Sequence, residues 1–126
     1  MSLTRKQILN ADVIIQDVDT PEWGGDGITH IRMIPIREHF EFSKKNTDSE
    51  GKAKDISDFI VRYCLMTICD EKGNRLFLDE DEEALSGKSS TVLMRIYEAA
   101  KKLNGDNIED MAKNSGKTQS DYSNLS

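Results

Sequence analysis

The sequence has few of the residues that carry redox and metal chemistry, and it is poor in aromatic side chains. Its 126 residues include two cysteines, two histidines, two prolines and one tryptophan, and aromatic residues make up 6%. The cysteines, Cys64 and Cys69, form a C-x4-C pair, which is not a usual zinc or redox spacing. Both fall in an apolar run that we interpret as helical, where a free cysteine acts as a small hydrophobic side chain. A reduced, cytoplasmic protein is therefore expected.

Long apolar stretches and basic character are also missing. No apolar run approaches the ~20 residues needed to cross a bilayer, and the first ten residues contain no signal-peptide h-region. The formal net charge is −6 at pH 7. Lysines scattered among an acidic excess argue against binding to nucleic acid or to a membrane surface. The length fits one domain that folds without a disulfide or a bound metal.

Known catalytic motifs are absent from the sequence. It contains no hydrolase elbow, zinc-protease motif, phosphate loop or dinucleotide fingerprint. The acidic segment that starts at Asp70 fails as an EF-hand, because Lys72 and Arg75 stand where an oxygen ligand and a glycine are needed. His30 and His39 fall on different predicted elements. We therefore predict no catalytic, cofactor-binding or metal site, and no enzymatic activity.

Residues 12–34 predict a β-hairpin. A β-branched run at 12–18 and a second at 28–34 flank "DTPEWGGDG", which contains a proline and three glycines. Gly24 and Gly25 are the predicted structural turn residues, since glycine tolerates positive φ at little cost. The single tryptophan, Trp23, stands directly before them. Either it folds back over the second strand or the central helix, or a subunit or client protein binds it.

Residues 35–114 predict helices. The first follows Pro35, with Ile36, Phe40 and Phe42 as its buried side, and a polar, mobile loop is expected at 43–54. A central core helix starts at Asp55, a short acidic helix follows Asp79, and an amphipathic helix runs to a C-cap at Asn104. A last short helix is predicted from Asp106.

The fold class is thus predicted as mainly α (α+β): a small N-terminal β-hairpin followed by a compact bundle of about four to five helices. Residues 1–114 are expected to form a single globular domain. Residues 115–126 are polar and unpatterned, so a disordered C-terminal tail is expected there.

The order of these segments resembles that of the tail assembly chaperones of long-tailed bacteriophages. The resemblance covers about residues 7–114 and is sharpest in "PEWGG" and in "DEKGNRLF…ALSGKSS…I…A…LNG". This sequence departs from the pattern through Asp26 and Gly27 in the turn, and through a longer polar loop between Ser43 and Asp55.

The resemblance implies a non-enzymatic role in the host bacterial cytoplasm. Such chaperones bind the long tape measure protein, keep it soluble, help to recruit the tail tube protein, and are absent from the mature virion. Relatives also self-associate, which implies a homo-oligomer, and the unpaired outer edge of the hairpin is a candidate contact. In many relatives a programmed frameshift makes a longer form, and Gly116–Lys117 is compatible with such a position.

A holdase for a helical client needs exposed apolar anchors. Met94 lies just off the core side of its predicted helix, and Ile108 and Met111 lie on a short helix that one compact core does not require. These three residues are candidate partner-binding or self-assembly contacts together with Trp23, and the alternative is that all three pack inward. Two other functions stay open: a structural tail or neck protein retained in the virion, and a small bacterial adaptor or regulatory protein.

Overall fold

The structure, a computed structural model, describes residues 1–105 and has an α+β fold, as the sequence predicts. The described chain contains five helices, a small antiparallel sheet of three strands and two single 3₁₀ turns, at Pro21–Trp23 and Asp79–Asp81. In chain order the elements of the described part are α1 Arg5–Leu9, β1 Ile15–Asp19, β2 Ile28–Arg32, α2 Ile36–Asn46, α3 Ile56–Thr67, β3 Ile68–Cys69, α4 Glu82–Ser86 and α5 Ser90–Leu103.

The predicted hairpin is present, and it gains a third strand that was predicted as part of the central helix. β1 pairs with β2 in antiparallel register, with Val18 opposite Thr29. On the other edge of β2, Ile31 pairs with Ile68, so Ile68 and Cys69 are strand residues and not helical ones. A short apolar run fits either state, and pairing with a strand far away in the chain decides between them.

α3 is the central core helix, as its all-round apolar pattern predicts. Asp55 caps its start by accepting a hydrogen bond from the Asp58 N–H at 2.9 Å. Its Phe59 and Tyr63 pack against Phe42 of α2 and Tyr97 of α5, with ring centroids 5.0 to 6.5 Å apart in edge-to-face pairs. The core is therefore an aromatic cluster that joins three helices.

The predicted buried side of α2 is wrong for two of its three residues. Phe42 is buried, but Ile36 is 73% exposed and Phe40 is 68% exposed. Residues i and i+4 share a helix face, whereas a residue two positions further lies about 200° round the axis. Burial of Phe42 against α3 therefore turns Ile36 and Phe40 outward.

The predicted loop at 43–54 is shorter than expected, because α2 continues to Asn46. The Asn46 side chain donates to the Phe42 carbonyl at 3.0 Å and accepts from Arg62 at 2.8 Å, which ties the end of α2 to α3. Thr47 then pairs with Ala53 across a turn. Asp48 accepts the Glu50 and Lys52 N–H groups there, and these hydrogen bonds lower the pKa of Asp48.

α5 lies against α3 and the sheet. Ser89 caps its first turn, and the predicted C-cap at Asn104 is confirmed. The Asn104 side chain also accepts the Ile34 N–H at 2.8 Å and donates to the Arg32 carbonyl at 3.2 Å. This amide continues the hydrogen bonding of β2 after the strand has ended, and it fixes the end of α5 beside the sheet. The helix predicted from Asp106 and the tail 115–126 lie outside the described residues.

Candidate interaction surface

Trp23 ends the 3₁₀ turn between β1 and β2 and is half-buried. Its ring packs against the hydrophobic core, as the first of the two sequence-based alternatives requires, and part of it stays exposed. Gly24 and Gly25 follow with φ of 82° and 60°, and an added Cβ at either glycine would meet no atom within 4 Å. Glycine is thus needed there for its backbone conformation and not for space.

A two-point ion pair fixes this turn to α5. Arg95 donates to both carboxylate oxygens of Glu22, at 2.9 and 2.7 Å, and to the Asp19 carbonyl at 2.9 Å. The hydrogen bonds from Arg95 lower the pKa of Glu22 to about 2. The sequence gives no sign of this contact, since the two residues are remote in the chain.

Met94 occupies the position that the sequence predicts, just off the core side of α5. Its side chain is 38% exposed, while its neighbours Val92, Leu93 and Ile96 are buried. The inward-packing alternative therefore does not describe Met94. Ile108, Met111 and the possible frameshift position Gly116–Lys117 lie outside the described residues.

The exposed residues Ile36 and Phe40 form an apolar ridge on α2 that sequence reasoning placed in the core. They are separated by four positions, so both project from one side of the helix. Charged side chains, including Arg37 and Glu41, flank them. The signal that could have found this ridge is the helix phase, because Phe42 cannot share a face with both residues.

A groove of about 430 Å³ lies between α2 and the segment that leads into α4. Its apolar lining comes from Phe42, Leu65 and Met66, and much of its charged lining is already paired within the chain. Arg62 binds Glu82 at 2.9 Å, and a second ion pair joins Arg75 to Asp79 at 3.0 Å. The lining holds four acidic and three basic side chains, so the groove has a formal excess of only one negative charge.

Both cysteines are buried and form no disulfide, so neither has the exposed thiolate that reactive cysteines need. Burial raises the pKa of the Cys64 thiol to about 12 and also raises that of Cys69.

Among residues 1–105, no three His, Cys, Asp or Glu side chains are grouped to hold a metal ion. His30 Nδ1 lies 2.8 Å from Asp17 in a cross-strand pair on the sheet. In the described part of the chain, no helix has the length and apolar character that crossing a membrane requires.

Arg32 joins three elements at the junction of the sheet and the helices. Its guanidinium donates to the Met66 carbonyl in the last turn of α3, at 3.1 and 2.7 Å, and pairs with Glu38 of α2 at 2.7 Å. A cation at the C-terminal end of a helix is favourable, and here it satisfies a carbonyl that the helix leaves free. The arginine is buried, so its role is to hold the elements together.

Together these elements define a small α+β domain: an antiparallel sheet packed on α5, with α3 at the centre. No protein-family model matches the chain, and no curated protein matches it either. Among solved structures, the fold is similar to that of the bacteriophage HK97 tail assembly chaperone. The two share 22% sequence identity with a TM-score of 0.58, over 81% of this chain and 98% of the phage protein. The sequence resemblance to tail assembly chaperones is thus confirmed at the level of the fold.

Proposed function

We propose that this protein is a phage tail assembly chaperone that binds and solubilises the tape measure protein and helps to recruit the tail tube protein. The observation that carries the proposal is the fold, which is similar to that of the HK97 tail assembly chaperone over nearly the whole of that protein. The sequence segments that carry the resemblance support it independently. A non-catalytic role, as expected for such a chaperone, belongs to the same proposal.

The surface supports a holding function. The ridge of Ile36 and Phe40 presents two apolar anchors one helical turn apart, and Met94 adds an adaptable thioether on α5. An amphipathic helix of a client binds through apolar residues at this spacing. The net charge of −6 would keep a complex with an apolar client soluble. We infer that this ridge contributes to the client site together with Met94, Ile108 and Met111.

Co-expression with the tape measure protein of the same phage tests the proposal. The tape measure protein alone is expected to aggregate, and a soluble, stoichiometric complex is expected with this chain. Replacing both ridge residues, as Ile36→Ser and Phe40→Ser, should lower the recovered soluble complex without lowering the melting temperature. The matched control is Ile56→Ser, because Ile56 is also exposed but lies on α3. A tape measure protein that stays insoluble beside free wild-type chain would contradict the proposal.

The protein is proposed to act in the host cytoplasm and to leave the particle before maturation. Mass spectrometry of purified virions separates this role from that of a structural tail or neck protein, which would be present in stoichiometric amounts. Gene context addresses the third alternative, a bacterial adaptor or regulator. A chaperone gene should precede a very long, helix-rich reading frame.

A longer, frameshifted form that contacts the tail tube protein is part of the same proposal. Gly116–Lys117 is its candidate position in the sequence. Synonymous replacement of the codons for these two residues should abolish the longer product and leave the short form unchanged. An antibody against residues 1–105 reports both forms on one blot. If the longer product persists, the frameshift does not occur at Gly116–Lys117.

Self-association is also proposed, and the hairpin edge is a weak candidate for its contact. β1 pairs with β2 on one side, and no other strand among residues 1–105 covers its outer edge. That strand carries Asp17 and Asp19, which are both exposed. Charged side chains on an edge strand disfavour pairing with another strand. A different contact between copies is therefore needed.

A further inference from the structure

The segment Leu3–Leu9, called the arm below, carries apolar side chains that nothing in the described chain covers. It contains α1, whose start is fixed by a capping box in which Thr4 and Gln7 exchange hydrogen bonds. Leu3, Ile8 and Leu9 are all more than half exposed. An isolated helix shorter than ~12–15 residues is marginal in water, so a five-residue helix with this capping signal fits a segment that packs on another surface.

A second uncovered surface, the acceptor patch, lies between β3 and α4 and combines apolar with acidic side chains. Leu76 and Leu78 are both more than half exposed, while Phe77 between them turns toward the core. Five consecutive acidic residues follow at 79–83. Asp79 and Glu82 are neutralised by arginines within the chain.

Two of the three remaining acidic residues are exposed and available to a partner, whereas Asp81 is half-buried and accepts the Leu78 N–H at 2.8 Å. Glu80 and Glu83 are exposed, and neither has an ion-pair partner within residues 1–105. The patch therefore presents two leucines beside two uncompensated carboxylates.

The arm has the complementary composition. Arg5 and Lys6 stand between its apolar residues, and within the described residues neither has an ion-pair partner. The arm thus carries two cations and three apolar side chains. These complement the two leucines and the two exposed carboxylates of the acceptor patch in charge and in apolar character. In its own chain the arm does not cover this patch, because every residue of the arm is exposed. Residues 10–13 connect the arm to Ile14, whose carbonyl accepts the Met33 N–H at 2.9 Å. These four residues span up to about 13 Å when extended, which allows the arm to reach a neighbour.

We propose that the arm of one copy docks on the acceptor patch of a second copy, through Leu3, Ile8 and Leu9 on Leu76 and Leu78, and through Arg5 and Lys6 on Glu80 and Glu83. The two surfaces differ, so each copy offers one of each and the contact is heterologous. Repetition of such a contact produces a ring or an open chain. This inference specifies the contact for the self-association proposed above and does not depend on the identity of the client.

Charge reversal tests the contact without disturbing the core, because all four charged residues are exposed. One variant carries Arg5→Glu and Lys6→Glu, and the other carries Glu80→Lys and Glu83→Lys. Sedimentation velocity over a concentration series should show that each variant alone associates at least about tenfold more weakly than the wild type, since like charges then face each other. An equimolar mixture of the two variants should associate again, because each reversed arm then meets a patch of opposite charge.

The matched control is Arg37→Glu with Lys44→Glu, the same charge change on the exposed face of α2. It should associate like the wild type, and all variants should keep the wild-type melting temperature. The proposal is overturned if the wild type is monomeric at every concentration, if the reversals leave association unchanged, or if the mixture stays as weak as its components. The tape measure assay is read separately, so failure here leaves the client proposal standing.

Discussion

At the scale of single residues, the turn between β1 and β2 is held by one ion pair and one half-buried ring. Arg95 reaches from α5 to Glu22 and to the Asp19 carbonyl, while Trp23 packs on the core beside them. The turn is therefore fixed both by charge and by apolar contact. These two contributions respond differently to pH, which allows each of them to be measured.

The Arg95–Glu22 pair should make the free energy of unfolding depend on pH in the acidic range. The pKa of Glu22 is lowered from 4.5 to about 2 in the folded protein, so the pair stabilises the fold fully above pH 4.5. This contribution is lost as the pH falls from 4.5 toward 2. Urea unfolding of the wild type and of Arg95→Gln should therefore differ most at neutral pH, and the difference should shrink across that interval.

A matched variant separates this pair from other carboxylates. Glu22→Gln combined with Arg95→Gln should remove the pH dependence that is specific to the pair. If the wild type and Arg95→Gln differ equally at pH 7 and at pH 2, the ion pair is not the source of the effect.

Trp23→Ala should lower the free energy of unfolding by about 2 kcal/mol. Full truncation of a buried Phe or Trp costs about 3–5 kcal/mol, and Trp23 is only half-buried. Trp23→Phe keeps most of the apolar contact and should cost less. Thermal unfolding followed by circular dichroism measures both. A melting temperature unchanged in the alanine variant, together with lost assembly, would show that a partner and not the core uses this ring.

At the scale of elements, Arg32 explains why α3 ends at Thr67 and a strand begins. Its guanidinium donates hydrogen bonds to the Met66 carbonyl, and Ile68 then pairs with Ile31 of β2. The turn Asp70–Asn74 returns the chain, because Asp70 accepts the Lys72 and Asn74 N–H groups. Hydrogen bonds from these groups also lower the pKa of Asp70.

Arg32→Met should be destabilising by about 1–3 kcal/mol, since it leaves the buried Met66 carbonyl without its donor. Glu38→Gln removes only the partly exposed partner and should cost less than about 1 kcal/mol. Urea unfolding at pH 7 compares the two variants directly. Equal losses would assign the stabilising role to the ion pair and not to the helix end.

At the scale of the whole molecule, the described chain consists of a packed body and an exposed arm. Residues 1–14 contain no buried side chain, whereas α3 and α5 contribute most of the core. The side chains that stabilise the body therefore lie outside residues 1–14, the part of the chain that contains the arm of the contact proposed above. The arm is free to serve a contact between copies without weakening the body.

Removal of residues 1–11 should leave the free energy of unfolding within about 0.5 kcal/mol of the wild type, as expected for exposed positions. The same deletion should abolish association between copies if the arm makes the contact proposed above. Urea unfolding and sedimentation velocity on one preparation report both quantities. A large loss of stability would show that the arm belongs to the body.

The sequence by itself determined the features that depend on local spacing. α3 and α5 follow from apolar residues at helical intervals, from the cap at Asp55 and from the C-cap at Asn104, and the hairpin turn follows from Gly24 and Gly25. These patterns are read from neighbours within one helical turn or one tight turn, so they need no knowledge of the rest of the fold.

Only the tertiary structure decided the features that depend on distant partners. Ile68 became a strand residue because Ile31 pairs with it, and Ile36 and Phe40 became an outward ridge because Phe42 fills the space against α3. The Arg95–Glu22 pair has the same origin. A short apolar run and a charged side chain are compatible with several local structures, and long-range packing selects one of them.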